Sequence, residues 1–108
     1  MSTATETGLS ATALETVVRA ISTDSRVEKI VLFGSRAKGT WYPGSDIDLA
    51  VYGCAIKHED LSRWKERLEE LLFPWSVDMV EEDQIANAAL RAHIERVGVV
   101  LFERDPPA

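Results

Sequence analysis

FGSRAKGTWYPGSDIDLAVYG, residues 33–53, sets two short apolar runs on either side of a glycine-rich connection and puts Asp46 and Asp48 at the start of the second run. Ile30-Val31-Leu32-Phe33 is continuous, rich in β-formers and ended by Gly34, so it reads as a buried strand. Ile47 to Tyr52 is the second such run, bounded by Pro43-Gly44-Ser45 and by Gly53. Side chains alternate between the faces of a strand, so Asp46 and Asp48 in its extended start aim their carboxylates the same way. Such a pair is costly unless a cation lies between its members, and neither Lys nor Arg occurs from Trp41 to Gly53. Mg²⁺ meets that need, because it takes one or two carboxylates and completes its shell with waters and phosphate oxygens.

Upstream, Gly34 stands where the strand turns into a short following segment. Backbone N–H groups at such a turn converge on an anion, and glycine leaves no Cβ in the path of a phosphate. Ser35 either caps that segment or binds a phosphate oxygen, and one hydroxyl can do both. Gly39 permits the reversal that returns the chain to Asp46. The stretch therefore offers a phosphate cradle on one strand end and a metal site on its neighbour. Transfer of a phosphorus-centred group needs both, as positioning and as neutralisation of developing charge.

Outward from this stretch, helices and strands alternate. Residues 1 to about 10, rich in Ser, Thr and Gly, read as a loose arm. Thr12-x-x-Glu15 has the capping-box pattern, and Leu14, Val17, Val18 and Ile21 follow at helical spacing. A second helix is predicted from about Glu59 to Phe73 on the stripe of Leu61, Trp64, Leu68, Leu71 and Leu72, with Pro74 as its stop. Ser76 to Val80 reads as a strand, Glu82 to Val97 as a helix capped by Gly98, and Val99 to Phe102 as a last strand before the 105–108 tail. The pattern predicts an α/β (α+β) domain over residues 11–104, a small mixed sheet flanked by helices.

Composition narrows the function classes. A chain of 108 residues supports one core and not two. No apolar run approaches the roughly 20 residues of a membrane span, and the N-terminus lacks the basic and apolar regions of a signal peptide, so the expected setting is cytoplasmic and free of membrane. A net charge of −6 with dispersed Lys and Arg argues against direct nucleic-acid binding. Cys54 is alone, which excludes an internal disulfide and predicts a small buried side chain beside Tyr52.

The residues Gly34-Ser35, ten intervening positions and Asp46-Ile47-Asp48 resemble the GS-x10-DxD signature of the polymerase-β-like nucleotidyltransferases, and within them the minimal nucleotidyltransferase (MNT) family. The likeness extends to the SVDMV stretch with a third carboxylate, Asp78, and to the closing IERVGVVLFER. It implies the polymerase-β-like nucleotidyltransferase fold. It also implies two Mg²⁺ ions on Asp46 and Asp48, with Asp78 sharing one ion and orienting or deprotonating an attacking hydroxyl. Gly34, Ser35 and, as a further contact, Arg36 would hold the phosphates of ATP. Chains of this kind resemble antitoxins whose partner is an all-helical HEPN (higher eukaryotes and prokaryotes nucleotide-binding) toxin. The implied reaction is AMP transfer from ATP to a tyrosine of that toxin within a hetero-oligomer. The residues themselves add one argument for Asp78, since a carboxylate between Val77 and Met79 is expensive to desolvate unless paired or metal-bound.

Other assignments compete with these. Arg36 and Lys38 also fit a solvated turn, and Trp41 and Tyr42 fit packing onto the core or onto a partner. His58 and His93 read as surface or helix-packing residues far from the aspartates in sequence. An antitoxin that only occludes its toxin, and a regulatory nucleotide-binding module without transfer activity, are the alternatives to an active enzyme.

Overall fold

The computed structural model describes residues 7–105. Helix α1 (Ala11–Ser22) starts at Ser10, whose hydroxyl accepts the Ala13 N–H at 3.0 Å, so the cap lies two residues ahead of the expected Thr12. Strand β1 (Val27–Phe33) runs into the short helix α2 (Gly34–Lys38), and strand β2 (Ile47–Gly53) follows the loop. Helix α3 (His58–Glu70), strand β3 (Val77–Glu81), a 3₁₀ turn (Glu82–Gln84), helix α4 (Ala88–Val97) and strand β4 (Val99–Glu103) complete the chain.

The sheet is mixed, as its sequence pattern predicts, with order β3-β2-β1-β4. β1 pairs antiparallel with β2 and β4, while β2 and β3 are parallel and joined through α3, the crossover that parallel strands require. On one face Ile30, Leu32, Ile47, Leu49 and Val77 pack with Val17 and Ile21 of α1 and Leu61, Trp64 and Leu68 of α3. On the other, Val31 and Ala50 meet Ile94 of α4. The alternation along each strand thus assigns Asp48 and Asp78 to the α4 face.

Four sequence expectations change. The loose arm does not extend to its described end, because Thr7 and Leu9 are buried; its residues 1–6, like tail residues 106–108, lie outside the described residues. α3 ends before Pro74: Leu72 takes a φ of 57° and the Phe73 N–H bonds back to the Leu68 carbonyl at 3.0 Å, leaving Leu71 and Leu72 exposed. The helix expected from Glu82 is interrupted, since Arg91 donates to the carbonyls of Glu82 (3.1 Å) and Ile85 (2.9 Å) and pairs with the Glu82 carboxylate. That holds the connection extended until Asn87 caps α4 by accepting the Leu90 N–H. Cys54 is exposed and not buried, lying in the loop just after β2.

Candidate active site

Strand register sets Asp48 beside Asp78 and brings Asp46 to the same end of the sheet. In the parallel ladder Asp48 is paired with Asp78, and Ile47 with Val77, so the Asp48 and Asp78 side chains leave the same face of adjacent strands. The Ile47 N–H donates to the Ser76 carbonyl at 2.9 Å, which carries the pairing back to the edge where Asp46 enters β2. Burial pushes the Asp48 carboxyl above its ordinary range, and the charges of Asp78 and then Asp46 push it further. Asp46 and Asp78 are exposed and Asp48 half-buried, so the cost of desolvation expected for Asp78 falls on Asp48 instead.

Asp48 also closes on the preceding turn. Phe33 is its cross-strand partner in β1, and Gly34 follows with a φ of 75°, left-handed backbone that glycine adopts without penalty. A Cβ at Gly34 would run into the Asp48 carboxylate and force it to turn away, so the dihedral requires the glycine and the present place of the carboxylate depends on it. Phe33 is the N-cap residue of α2, and it makes no side-chain cap bond. Ser35 lies inside the helix and so does not cap it. Its hydroxyl makes no hydrogen bond among the described residues, whereas its carbonyl accepts the N–H groups of Gly39 and Thr40, each at 3.0 Å.

Arg36 departs from both sequence expectations, being neither solvated nor turned to an anion. It is 1% exposed, and its guanidinium donates to the carbonyls of Thr7 (2.9 Å), Ser45 (3.1 Å) and Pro43 (3.4 Å) and lies over the Trp41 ring. Burial pushes its pKa down. A charge held by carbonyls in this way is a clamp on the loop that delivers Asp46. The loop is tied a second time, because the Ser45 N–H donates to the Tyr42 carbonyl at 2.8 Å and the Ser45 hydroxyl accepts the Tyr42 N–H at 2.9 Å. Trp41 belongs to this packing, and Tyr42 projects outward at 67% exposure.

His93 is the residue that sequence reasoning missed. Its Nε2 accepts the Gly34 N–H at 3.2 Å, which brings α4 onto the turn beside Asp48. No sequence signal marks it, since the contact spans 59 positions. His58 contributes nothing to this end of the sheet, lying at the start of α3.

The donor set suits a hard divalent cation. Among the described residues none of the three carboxylates pairs with Lys or Arg, and Asp48 carries the unrelieved repulsion of its neighbours. Among the same residues no three acidic, histidine or cysteine side chains already converge at ligating distance, so an ion would draw in the exposed Asp46 and Asp78 by rotamer changes.

Comparison with known proteins agrees with this geometry. The sequence profile described as "Polymerase beta, Nucleotidyltransferase" matches residues 15–107. No curated protein sequence matches the chain. Among solved structures, a candidate minimal nucleotidyltransferase is 31% identical, with 80% of this chain and 93% of that one covered and a TM-score of 0.59. A chain of a toxin–antitoxin complex with AMP-PNP is 24% identical over 84% of this chain and 73% of that one, with a TM-score of 0.71. A complex of tri-AMPylated HEPN toxin with MNT antitoxin from Shewanella oneidensis gives 20% identity, 86% and 71% coverage and a TM-score of 0.66. The extent of the profile match and the likeness to a minimal nucleotidyltransferase, with a four-stranded mixed sheet, place this chain in the polymerase β nucleotidyltransferase family, among the minimal nucleotidyltransferases.

Proposed function

We propose that the protein transfers AMP from ATP to a hydroxyl, that of a tyrosine, on a HEPN-type toxin, and that this makes it the antitoxin of the pair. The observation that carries the reading is the pairing of Asp48 with Asp78 in one register, with Asp46 two positions upstream and Gly34 against the Asp48 carboxylate. Asp46, Asp48 and Asp78 would hold two Mg²⁺ ions, whose chemistry is to neutralise charge on the phosphates and on the attacking and leaving oxygens. The Ser35 hydroxyl, without a partner among the described residues, would bind the β- and γ-phosphates, and Gly34, whose N–H is taken by His93, lets them approach because it carries no Cβ. The acceptor oxygen bonds to the α-phosphorus as the bond to pyrophosphate breaks, and the acceptor proton passes to the Asp78 carboxylate or, through it, to water.

A partner acceptor is favoured by the solved complexes of similar fold, in which such a chain is paired with a toxin. The acidic surface favours a protein acceptor over a nucleic-acid backbone. The test is transfer of label from ATP to the product of the neighbouring open reading frame, with and without Mg²⁺, for wild type and for Asp46→Asn and Asp48→Asn. Label should appear on the partner with wild type and Mg²⁺ alone. A variant that silences the toxin while transferring no label would replace this reading with neutralisation by occlusion.

A further inference from the structure

The β1–α2 turn is held by a residue from the far end of the chain. His93 accepts the Gly34 N–H through Nε2, and its ring meets Phe33 edge-on with centroids 6.1 Å apart. Both contacts fall on the junction where β1 becomes α2. Gly34 is thereby confined on two sides, its N–H held by the imidazole and the space that a Cβ would take filled by the Asp48 carboxylate. A glycine has no side chain with which to fix its own dihedrals, so an acceptor supplied from elsewhere is what limits rotation of its peptide planes. The bond also satisfies a donor that the end of the sheet and the first turn of a helix both leave unpaired.

We propose that His93 is a positioning residue for the nucleotide: by holding the Gly34 amide it fixes the spacing between the Gly34-Ser35 phosphate cradle and the Asp48 carboxylate. This rests on the reading that the triphosphate lies against that cradle. The imidazole acts as a neutral acceptor with its proton on Nδ1, so the property to conserve is a lone pair at the end of the side chain. Gln supplies such an acceptor, whereas Phe keeps a ring against Phe33 and lacks it.

The experiment measures Mg·ATP affinity by titration calorimetry, melting temperature, and AMP transfer to the partner for wild type, His93→Phe and His93→Gln. His93→Phe should weaken Mg·ATP binding and raise the KM for ATP by about fivefold, the scale of one lost hydrogen bond, with kcat changed much less. His93→Gln should recover most of the affinity. Should His93→Phe not fold, His93→Leu carries the same expectation. Unchanged or tighter Mg·ATP binding by the variant without the acceptor overturns the inference and leaves His93 a brace between α4 and β1. Failure of His93→Gln to recover the affinity overturns it too, since the ring and not the acceptor would then matter. If wild type binds Mg·ATP but labels no partner, the proposed transfer fails while the affinity comparison still decides the role of His93. If wild type binds no Mg·ATP, both fall.

Discussion

Asp24 and Asp60 sit among arginines, whereas Asp46, Asp48 and Asp78 share one end of the sheet and, among the described residues, none of them is ion-paired, Lys65 only lining the same pocket as Asp46 and Asp78. In the first group Arg26 bridges the Asp24 carboxylate at 2.6 Å and that of Asp60 at 2.9 Å, and Arg63 adds a second pair to Asp60. Asp60 also accepts the Lys57 N–H at 2.8 Å and so closes the start of α3. These contacts, that from Arg26 first, hold the Asp60 carboxyl down to about 2. In the second group burial and two like charges push Asp48 the opposite way. One fold compensates its carboxylates where they hold helices together and leaves them without ion pairs, among the described residues, at the candidate active site. The two clusters differ in direction, Asp60 being held down by its arginines and Asp48 pushed up by burial and by its acidic neighbours.

Exchanging Asp48 for Asn should break the comparison most visibly. Transfer of AMP should fall by about a hundred- to a thousandfold, the scale of losing one main electrostatic contact in such a site, as followed by label on the partner. Thermal stability in the absence of Mg²⁺ should hold or rise, because the substitution removes repulsion. A variant with normal transfer would end the claim that Asp48 is the centre of the site.

The opposite pattern is expected of Asp60→Asn. It should destabilise the protein by about 2 kcal/mol in urea unfolding, the loss of charge-assisted bonds discounted for partners that are themselves partly exposed. Mg·ATP binding of the folded fraction should not change. A loss of nucleotide binding without a loss of stability would show that the two clusters are not separate.

The smallest effect lies in acid. The Asp60 pKa is lower in the folded chain than the ordinary value of about 4, so its stabilisation is present above pH ~4 and is lost as pH falls toward ~2. Asp48 has the reverse sign: its raised pKa makes the folded state gain stability as acid protonates it. Melting curves should therefore be flatter for Asp60→Asn than for wild type below pH ~4, whereas Asp48→Asn should lose the gain that wild type shows above pH ~4 as acid protonates Asp48. Identical slopes for all three proteins would remove the electrostatic contrast.

Much of the active-site end was legible because its devices are local. Gly34 follows an apolar run, Asp46 and Asp48 keep the two-residue period of a strand, and both features survive in the fold because no distant residue is needed to create them. Helix boundaries were less legible. Leu71 and Leu72 continue a helical stripe in sequence, yet α3 closes before them, and what stops it is backbone geometry at Leu72 and not the nearby Pro74. Arg36 was misread for a related reason: its type suggested an anion, while its partners are carbonyls that only the folded loop assembles.

The sequence by itself determined the alternation of strands and helices, the glycine turn and the paired aspartates of β2, since each depends on residues within a few positions of one another. Tertiary structure alone decided that Asp78 stands beside Asp48, that Arg36 clamps the loop and that His93 reaches Gly34. Those three depend on strand register and helix docking, where burial of apolar side chains on both faces of the sheet selects the arrangement and the polar residues follow.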